Sequence, residues 1–200
     1  MRRISAALSF VRSCVLFGAL FVLAPHSAEA GTALQLGIDG LVERADLVLE
    51  ARVVATRVLQ TTAGRIETEL TLHVARTFAG EALAERVVRI PGGVLPDGRG
   101  LVLAGMPRFA LDEDVLVFFS SPGASGVRMP VGLSQGKLRV EHHARGAKSL
   151  ARDEAGAALV DAHGASVGHA GNVELDYART IASIEAAVAA KRARANAEKR

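Results

Sequence analysis

The chain has 200 residues, of which 50% are hydrophobic and only 4% aromatic, and it carries a formal net charge of +3. This length suits one ordinary domain, and so large a hydrophobic share excludes a chain that is disordered throughout. No run of about 18 or more apolar residues occurs, which excludes a protein with several membrane-spanning helices. The pI near 9.5 raises the question of a nucleic-acid or membrane partner.

The first thirty residues have the pattern of a secretory signal peptide. Three arginines come first, Ser13–Ala24 is an uncharged and mostly apolar run, and an A-x-A step ends at Ala30. This order of charge, apolar run and small residues is what signal peptidase recognises, and the run is shorter than the roughly 20 residues of a permanent span. We expect cleavage after Ala30 and export to the periplasm or the medium, with no integral membrane span afterwards. A retained membrane anchor is the alternative.

Removing this leader changes the charge balance. It takes away three Arg and one Glu, which leaves 21 basic and 20 acidic residues. The last ten residues, Lys191–Arg200, contain five basic groups and one acid, so residues 31–190 contain 16 basic and 19 acidic groups. Neutralising phosphates requires a basic surface, and the five aromatic residues left after the leader supply few stacking platforms. We therefore predict no nucleic-acid partner.

Residues that could hold a metal are few and poorly spaced. The single cysteine, Cys14, lies inside the leader, so the mature chain has no disulfide, thiolate site or cysteine nucleophile. His142 and His143 are adjacent and would point to opposite faces of a strand, while His163 and His169 are six residues apart. Asp112–Asp114 lacks the spacing of an EF-hand. We expect no metal site and no cofactor.

Hydrophobic periodicity predicts mostly short strands. A short helical turn, Leu41–Ala45, precedes two alternating runs, Leu47–Leu59 and Ile66–Phe78, which the turn Thr61–Gly64 joins into a long hairpin. Further strands, separated by Gly and Pro turns, are predicted at Arg86–Ile90, Val102–Ala104, Asp114–Phe119, Val127–Leu133, Lys137–Glu141 and Ser149–Arg152.

The pattern changes after residue 152. Residues 153–172 are rich in Ala, Gly and His and predict a loop or a weak hairpin, whereas residues 173–200 predict a C-terminal helix with a basic tail and Asn172 as its N-cap. The predicted fold is therefore mainly β. Residues 31–152 would form an antiparallel barrel or barrel-like sheet, with an OB-like form as one option, and one C-terminal α-helix would follow.

Part of the chain resembles a known pattern. Ala45–Val54 resembles the A-D-x-V-x-x-G-x-V opening of a group of exported bacterial proteins, and Pro91–Gly93, Gly105–Phe109 and Val131–Leu138 resemble later steps of that pattern. The opening is similar, more distantly, to netrin-like modules such as the tissue inhibitors of metalloproteinases, which implies an OB-type barrel and an association with proteases. Ala51 stands where the pattern has glycine. The reactive cysteines of those inhibitors are absent, so inhibition through an N-terminal cysteine that chelates a metal does not carry over.

One motif bears on catalysis. Gly132–Gly136 matches G-x-S-x-G, in which Ser134 would be a nucleophile and His163 its base. That elbow requires a helix after the serine, but Lys137–Glu141 predicts a strand. We therefore favour a glycine-flanked turn and no catalytic residue.

Three functional hypotheses follow. The first is a non-enzymatic exported module that binds another protein, an extracellular protease among the candidates, through its surface or a strand edge. The second is a small serine hydrolase that uses Ser134. The third is an envelope-associated structural protein whose tail, Lys191–Arg200, contacts the membrane.

Overall fold

The computed structural model describes residues 32–152, 158–160, 166–169 and 174–198. The leader expected at residues 1–30 lies outside these ranges, and so do Asn172 and His163.

The chain is mainly β, as predicted, with one long C-terminal helix. Its helices are α1, Ile38–Arg44, and α2, Tyr177–Ala197. Its strands in chain order are β1 Thr32–Leu34, β2 Leu47–Gln60, β3 Ile66–Ala79, β4 Glu85–Pro91, β5 Gly93–Val94, β6 Gly100–Leu101, β7 Asp114–Phe119, β8 Lys137–His142, β9 Lys148–Arg152, β10 Ala158–Val160, β11 Ser166–His169 and β12 Glu174–Asp176.

Seven strands form one antiparallel sheet in the order β12-β9-β8-β7-β2-β3-β4. The sheet is open, with β12 and β4 at its edges, so the term barrel applies to it only loosely. Strands β10 and β11 pair antiparallel, which matches the weak hairpin expected as one option within 153–172, and β1 joins them. Strands β5 and β6 form a separate small hairpin.

An apolar cluster lies on each face of the sheet. Successive side chains of a strand point to opposite faces, so each central strand contributes residues to both clusters. One cluster, the helix-side core, packs under α1 and α2 and includes Val48, Leu116, Phe118, Leu138, Leu150 and Ile184. The other, the loop-side core, packs against the segment 103–113 and includes Leu49, Val53, Leu70, Ile90, Val117 and Phe119. Burial on both faces explains why the predicted strand β7 is a continuous apolar run.

The predicted β2–β3 hairpin is confirmed over the full length of both strands. Two other predicted strands are wrong. Residues 102–104 lie in a loop after β6, and residues 127–133 make only isolated bridges at Val127 and Pro130 before a 3₁₀ helix at Leu133–Gly136. Pro130 has no N–H to donate, and Gly132 has a left-handed φ of 65°, so a continuous ladder cannot form there.

Helix α2 begins later than predicted, because Glu174–Asp176 pairs with β9 as a strand. Asp176 is the N-cap, and its carboxylate accepts a hydrogen bond from Arg179 N at 2.7 Å. Ile181, Ile184 and Val188 form an apolar stripe along one side of the helix, and all three are buried. Among the described residues, no helix is both long and apolar enough to cross a membrane.

Candidate functional site

Strand β2 is longer than its neighbour β7, and this leaves part of it unpaired. The β2–β7 ladder ends where Arg52 faces Asp114. Val53 N still donates to Glu113 O at 2.9 Å, but beyond it no strand of the described residues pairs with β2 on the side opposite β3. We call the segment Val54–Gln60 the free edge.

A β-bulge sets which backbone groups of the free edge face outward. The β2–β3 register shifts between Val53 and Ala55, and Thr61 N donates to Arg65 O at 2.8 Å at the turn. Because an antiparallel ladder alternates, every second residue before Thr61 bonds to β3. The residues between them, Thr56, Val58 and Gln60, direct N–H and C=O away from it.

Within the described part of the chain, this free edge lacks the usual protection of a sheet edge. Exposed edges are normally blocked by proline, by several charges or by a covering segment, because their unpaired groups pair with other chains. The only charged residue here is Arg57, and it pairs with Glu69 on β3 at 3.2 Å. All residues from Val54 to Gln60 are exposed or half-buried.

An apolar groove of about 480 Å³, the edge groove, lies beside the free edge. Thr56 and Val58 line it from β2, and the other lining residues come from Thr68, Ile90–Val94, Leu101–Leu103 and Met106–Phe109. The groove continues the loop-side core to the surface, where Val94 is 56% and Val102 79% exposed. Exposed apolar side chains that meet in a concave site are typical of a binding surface rather than of scattered surface residues.

A buried lysine holds the wall of the edge groove in place. Lys137 is 2% exposed, and its ammonium donates to Arg108 O at 2.6 Å and to the Glu113 carboxylate at 2.7 Å. The same ammonium lies 5.3 Å from the centre of the Phe109 ring, which stacks on Phe119 at 6.4 Å. A buried charge needs such partners, so these contacts fix the backbone of residues 108–113. Sequence reasoning missed Lys137, which looked like an ordinary strand residue.

Arg108 projects from that wall at the rim of the edge groove. Its backbone carbonyl accepts from Lys137, but its exposed guanidinium makes no ion pair or hydrogen bond with the described residues. Of the three acids at residues 112–114, Glu113 pairs with Lys137 and Asp114 pairs with Arg52, whereas the exposed Asp112 makes no ion pair with the described residues. Among the described residues, the Arg108 guanidinium at the rim of the groove therefore has no ionic partner.

Ser134, the predicted candidate nucleophile, lies away from the surface. It is 2% exposed, sits in the 3₁₀ helix and donates its N–H to Gly105 O at 2.8 Å. Strand β8 follows instead of the helix that a nucleophile elbow needs. The described part of the chain brings no histidine into hydrogen-bond contact with Ser134, and His163 lies outside it.

The glycines of the same motif have structural reasons. Gly132 and the following Leu133 adopt positive φ values of 65° and 59°, which glycine tolerates at the turn. A Cβ on Gly136 would lie 2.7 Å from Val131 N and closer still to Val131 O. The G-x-S-x-G pattern is thus accounted for by a tight turn and a close backbone approach.

The candidate metal ligands are spread over separate contacts. His142 Nε2 lies 2.8 Å from Asp114 Oδ2, and Arg52 makes two 2.8 Å contacts to the same carboxylate. The hydrogen bond from Arg52 lowers the pKa of Asp114; burial opposes this effect, and His142 adds to it. His143 Nε2 lies 2.6 Å from Ser149 Oγ. Across the described ranges, no three His, Cys, Asp or Glu side chains are grouped to hold a metal.

A second polar cluster fastens α2 to the sheet. Glu50 is buried on the helix side, where Lys148 Nζ donates to it at 3.1 Å and the Tyr177 hydroxyl at 2.8 Å. Burial lowers the pKa of Lys148, but the hydrogen bond and charge of Glu50 outweigh this and raise it. Burial and the bond to Glu50 raise the pKa of Tyr177. The cluster is a structural one, since each member has its partner within the fold.

Basic residues of the C-terminal segment also contact α1 and β3. Lys191 donates to three carbonyls at the end of α1, Arg192 donates to Phe78 O at 3.0 Å, and Arg194 pairs with Glu43. Three of the five basic groups in Lys191–Arg200 are therefore engaged with α1 and β3.

In the comparisons with known proteins, no family model, no curated protein and no solved structure matches this chain.

Proposed function

We propose that this protein is a non-enzymatic binding module that takes up an extended segment of another polypeptide along its free edge, Val54–Gln60. The observation that carries the proposal is the coincidence of unpaired strand backbone with an apolar groove on the same strand. Strand addition uses both features, because main-chain hydrogen bonds supply affinity and side-chain pockets supply specificity.

The geometry of a sheet defines how such a segment would lie. A residue of the added strand directly opposite Val58 shares its face of the sheet, and Val58 lines the edge groove. That residue would insert its side chain into the groove. Its neighbours in the added strand would point to the opposite face, beside Arg57 and Leu59.

Two observations favour binding over the other hypotheses. Ser134 is buried in a turn that lacks the context of a nucleophile elbow, and Lys191, Arg192 and Arg194 are already engaged with the protein. The leader supports an exported protein. The netrin-like resemblance implies an extracellular protease as a partner, which a pull-down from culture supernatant tests.

The backbone test uses proline at the free edge. Thr56→Pro removes an N–H that faces outward, a position where an edge strand tolerates proline, and Thr56→Ala keeps that N–H. Val87→Pro is the matched control on β4, at the other edge of the sheet. Val87 is 56% exposed, and by the same alternation its N–H points away from β3. The probe is a fluorescent, soluble-tagged peptide, Thr-Val-Thr-Val-Thr-Asp-Thr, followed by fluorescence polarisation.

We expect Thr56→Pro to weaken binding of this peptide at least tenfold, while Thr56→Ala and Val87→Pro bind as the wild type does. Hydrogen exchange of the wild type should slow at residues 54–60 when the peptide is added. Equal binding by Thr56→Pro and Thr56→Ala, with each variant folded by circular dichroism, would overturn the proposal.

A further inference from the structure

We infer that the partner segment pairs an aliphatic residue, which fills the edge groove, with an acidic residue, whose carboxylate binds Arg108. This inference rests on the proposed function and names the chemistry of its ligand. The partner is thus an extended, acidic-aliphatic stretch of another protein.

The lining and volume of the edge groove are the reason to expect an aliphatic residue in the partner segment. Most of its wall is apolar, and Val58, Ile90, Val94, Met106 and Phe109 contribute to that part. A volume of about 480 Å³ is at the lower end for ligand pockets, so it suits side chains rather than a whole folded element. Valine and isoleucine also favour the extended conformation that strand addition requires.

The guanidinium of Arg108 is the reason to expect an acidic residue in the partner segment. Its guanidinium has no ionic partner among the described residues, whereas Arg52, Arg57 and Arg99 all pair with carboxylates. Its position is prepared, because Lys137 holds the Arg108 carbonyl at 2.6 Å. A guanidinium held by its backbone and open to solvent is suited to a two-point contact with a carboxylate.

The geometry of a strand sets the spacing between the aliphatic and the acidic residue of the partner segment. Side chains two positions apart lie on the same face, about 7 Å from each other. Thr56, Val58 and Arg108 line one groove, so an acid on the same face as the aliphatic residue can reach its rim. The segment therefore has an aliphatic-x-acid pattern along one face.

The test compares three peptides that differ at one residue: the Asp peptide above, its Asn counterpart and its Lys counterpart. The variants are Arg108→Gln and Arg108→Glu, with Arg179→Gln, an exposed arginine on α2, as the matched control. We expect the wild type and the control to bind the Asp peptide about three- to tenfold tighter than the Asn peptide. This preference should shrink with added salt.

Arg108→Gln should bind the Asp and Asn peptides equally, and Arg108→Glu should prefer the Lys peptide. Equal binding of Asp and Asn peptides by the wild type would overturn the inference, and so would an Asp preference that survives Arg108→Gln. If the inference about the acidic residue fails but Thr56→Pro still weakens peptide binding, the proposed strand addition stands on its own. If Thr56→Pro also has no effect, the inference and the proposed function both fail. A dimer of the free protein that Thr56→Pro dissociates would also overturn the inference, because a second copy would then occupy the edge.

Discussion

Lys191 Nζ on α2 donates a hydrogen bond to the carbonyl of Ala45, 2.7 Å away, just beyond the end of α1. The same ammonium donates to Glu43 O at 2.7 Å and Val42 O at 3.1 Å. Carbonyls at the C-terminus of a helix lack partners within it, and the helix dipole favours a cation there. Lys191 therefore caps one helix from another and joins α2 to α1 across the helix-side core.

Replacing Lys191 should destabilise the fold. Lys191→Met keeps the apolar stem but removes three charge-assisted hydrogen bonds, so the free energy of unfolding should fall by about 1.5–3 kcal/mol. Urea denaturation followed by circular dichroism measures this. Arg179→Gln, on the same helix but exposed, should change it by less than about 0.5 kcal/mol. Equal midpoints for the two variants would contradict the capping role.

Gly136 should tolerate no side chain. Gly136→Ala forces a Cβ against the backbone of Val131, and such overpacking costs about 1–3 kcal/mol. Thermal unfolding of the variant should therefore begin at a lower temperature. Gly123→Ala is the matched control, because its Cβ would meet its nearest neighbour at an ordinary 3.7 Å. A Gly136→Ala protein as stable as that control would refute the close approach.

Ser134 should be dispensable for hydrolysis. Because it is 2% exposed and lies in a turn without the context of an elbow, Ser134→Ala should leave any turnover of p-nitrophenyl acetate at the wild-type rate. Ser183→Ala, on α2, controls for the loss of a hydroxyl. A rate that falls with Ser134→Ala alone would restore the hydrolase hypothesis.

Asp114 should make stability sensitive to acid. Its pKa in the folded protein is lowered, chiefly by the hydrogen bond from Arg52, so its contribution is present above the unfolded pKa of about 3.9 and is lost as pH falls through the folded value. Asp114→Asn should be less stable than the wild type at neutral pH, and the difference should shrink below about pH 4. Urea midpoints across pH measure it, and a difference that does not change with pH would contradict this account.

Tyr177 should make stability sensitive to alkali. Burial and the bond to Glu50 raise its pKa, so its contribution is complete below the unfolded pKa of about 10 and is lost as pH rises through the folded value. Tyr177→Phe should cost about 1–2 kcal/mol at neutral pH, because Glu50 loses a buried donor. The cost should decline above about pH 10. Unfolding measured at neutral and alkaline pH tests both statements, and a variant as stable as the wild type would refute the bond.

Local patterns in the sequence were enough to predict the main elements. The alternation in β2 and β3 and the spacing of Ile181, Ile184 and Val188 reflect periods that the backbone itself imposes. The apolar run of β7 reflects burial on both faces of the sheet. Glycine and proline placed most turns correctly. They did not predict that residues 127–133 form no strand. The sequence does not show which backbone groups near Pro130 face a neighbouring strand, nor that Gly132 adopts a left-handed φ.

The tertiary structure alone decided the candidate site. Whether β2 has a free edge depends on where β7 stops beside it, and the last pair, Arg52 with Asp114, joins residues 62 apart in the sequence. Lys137 and Lys191 likewise look like solvated cations until distant carbonyls are brought to them. By itself, the sequence determined a mainly β chain with one C-terminal helix, because periodicity is local. Only packing between distant segments decided that the sheet stays open and which part of β2 lacks a neighbouring strand on one side among the described residues.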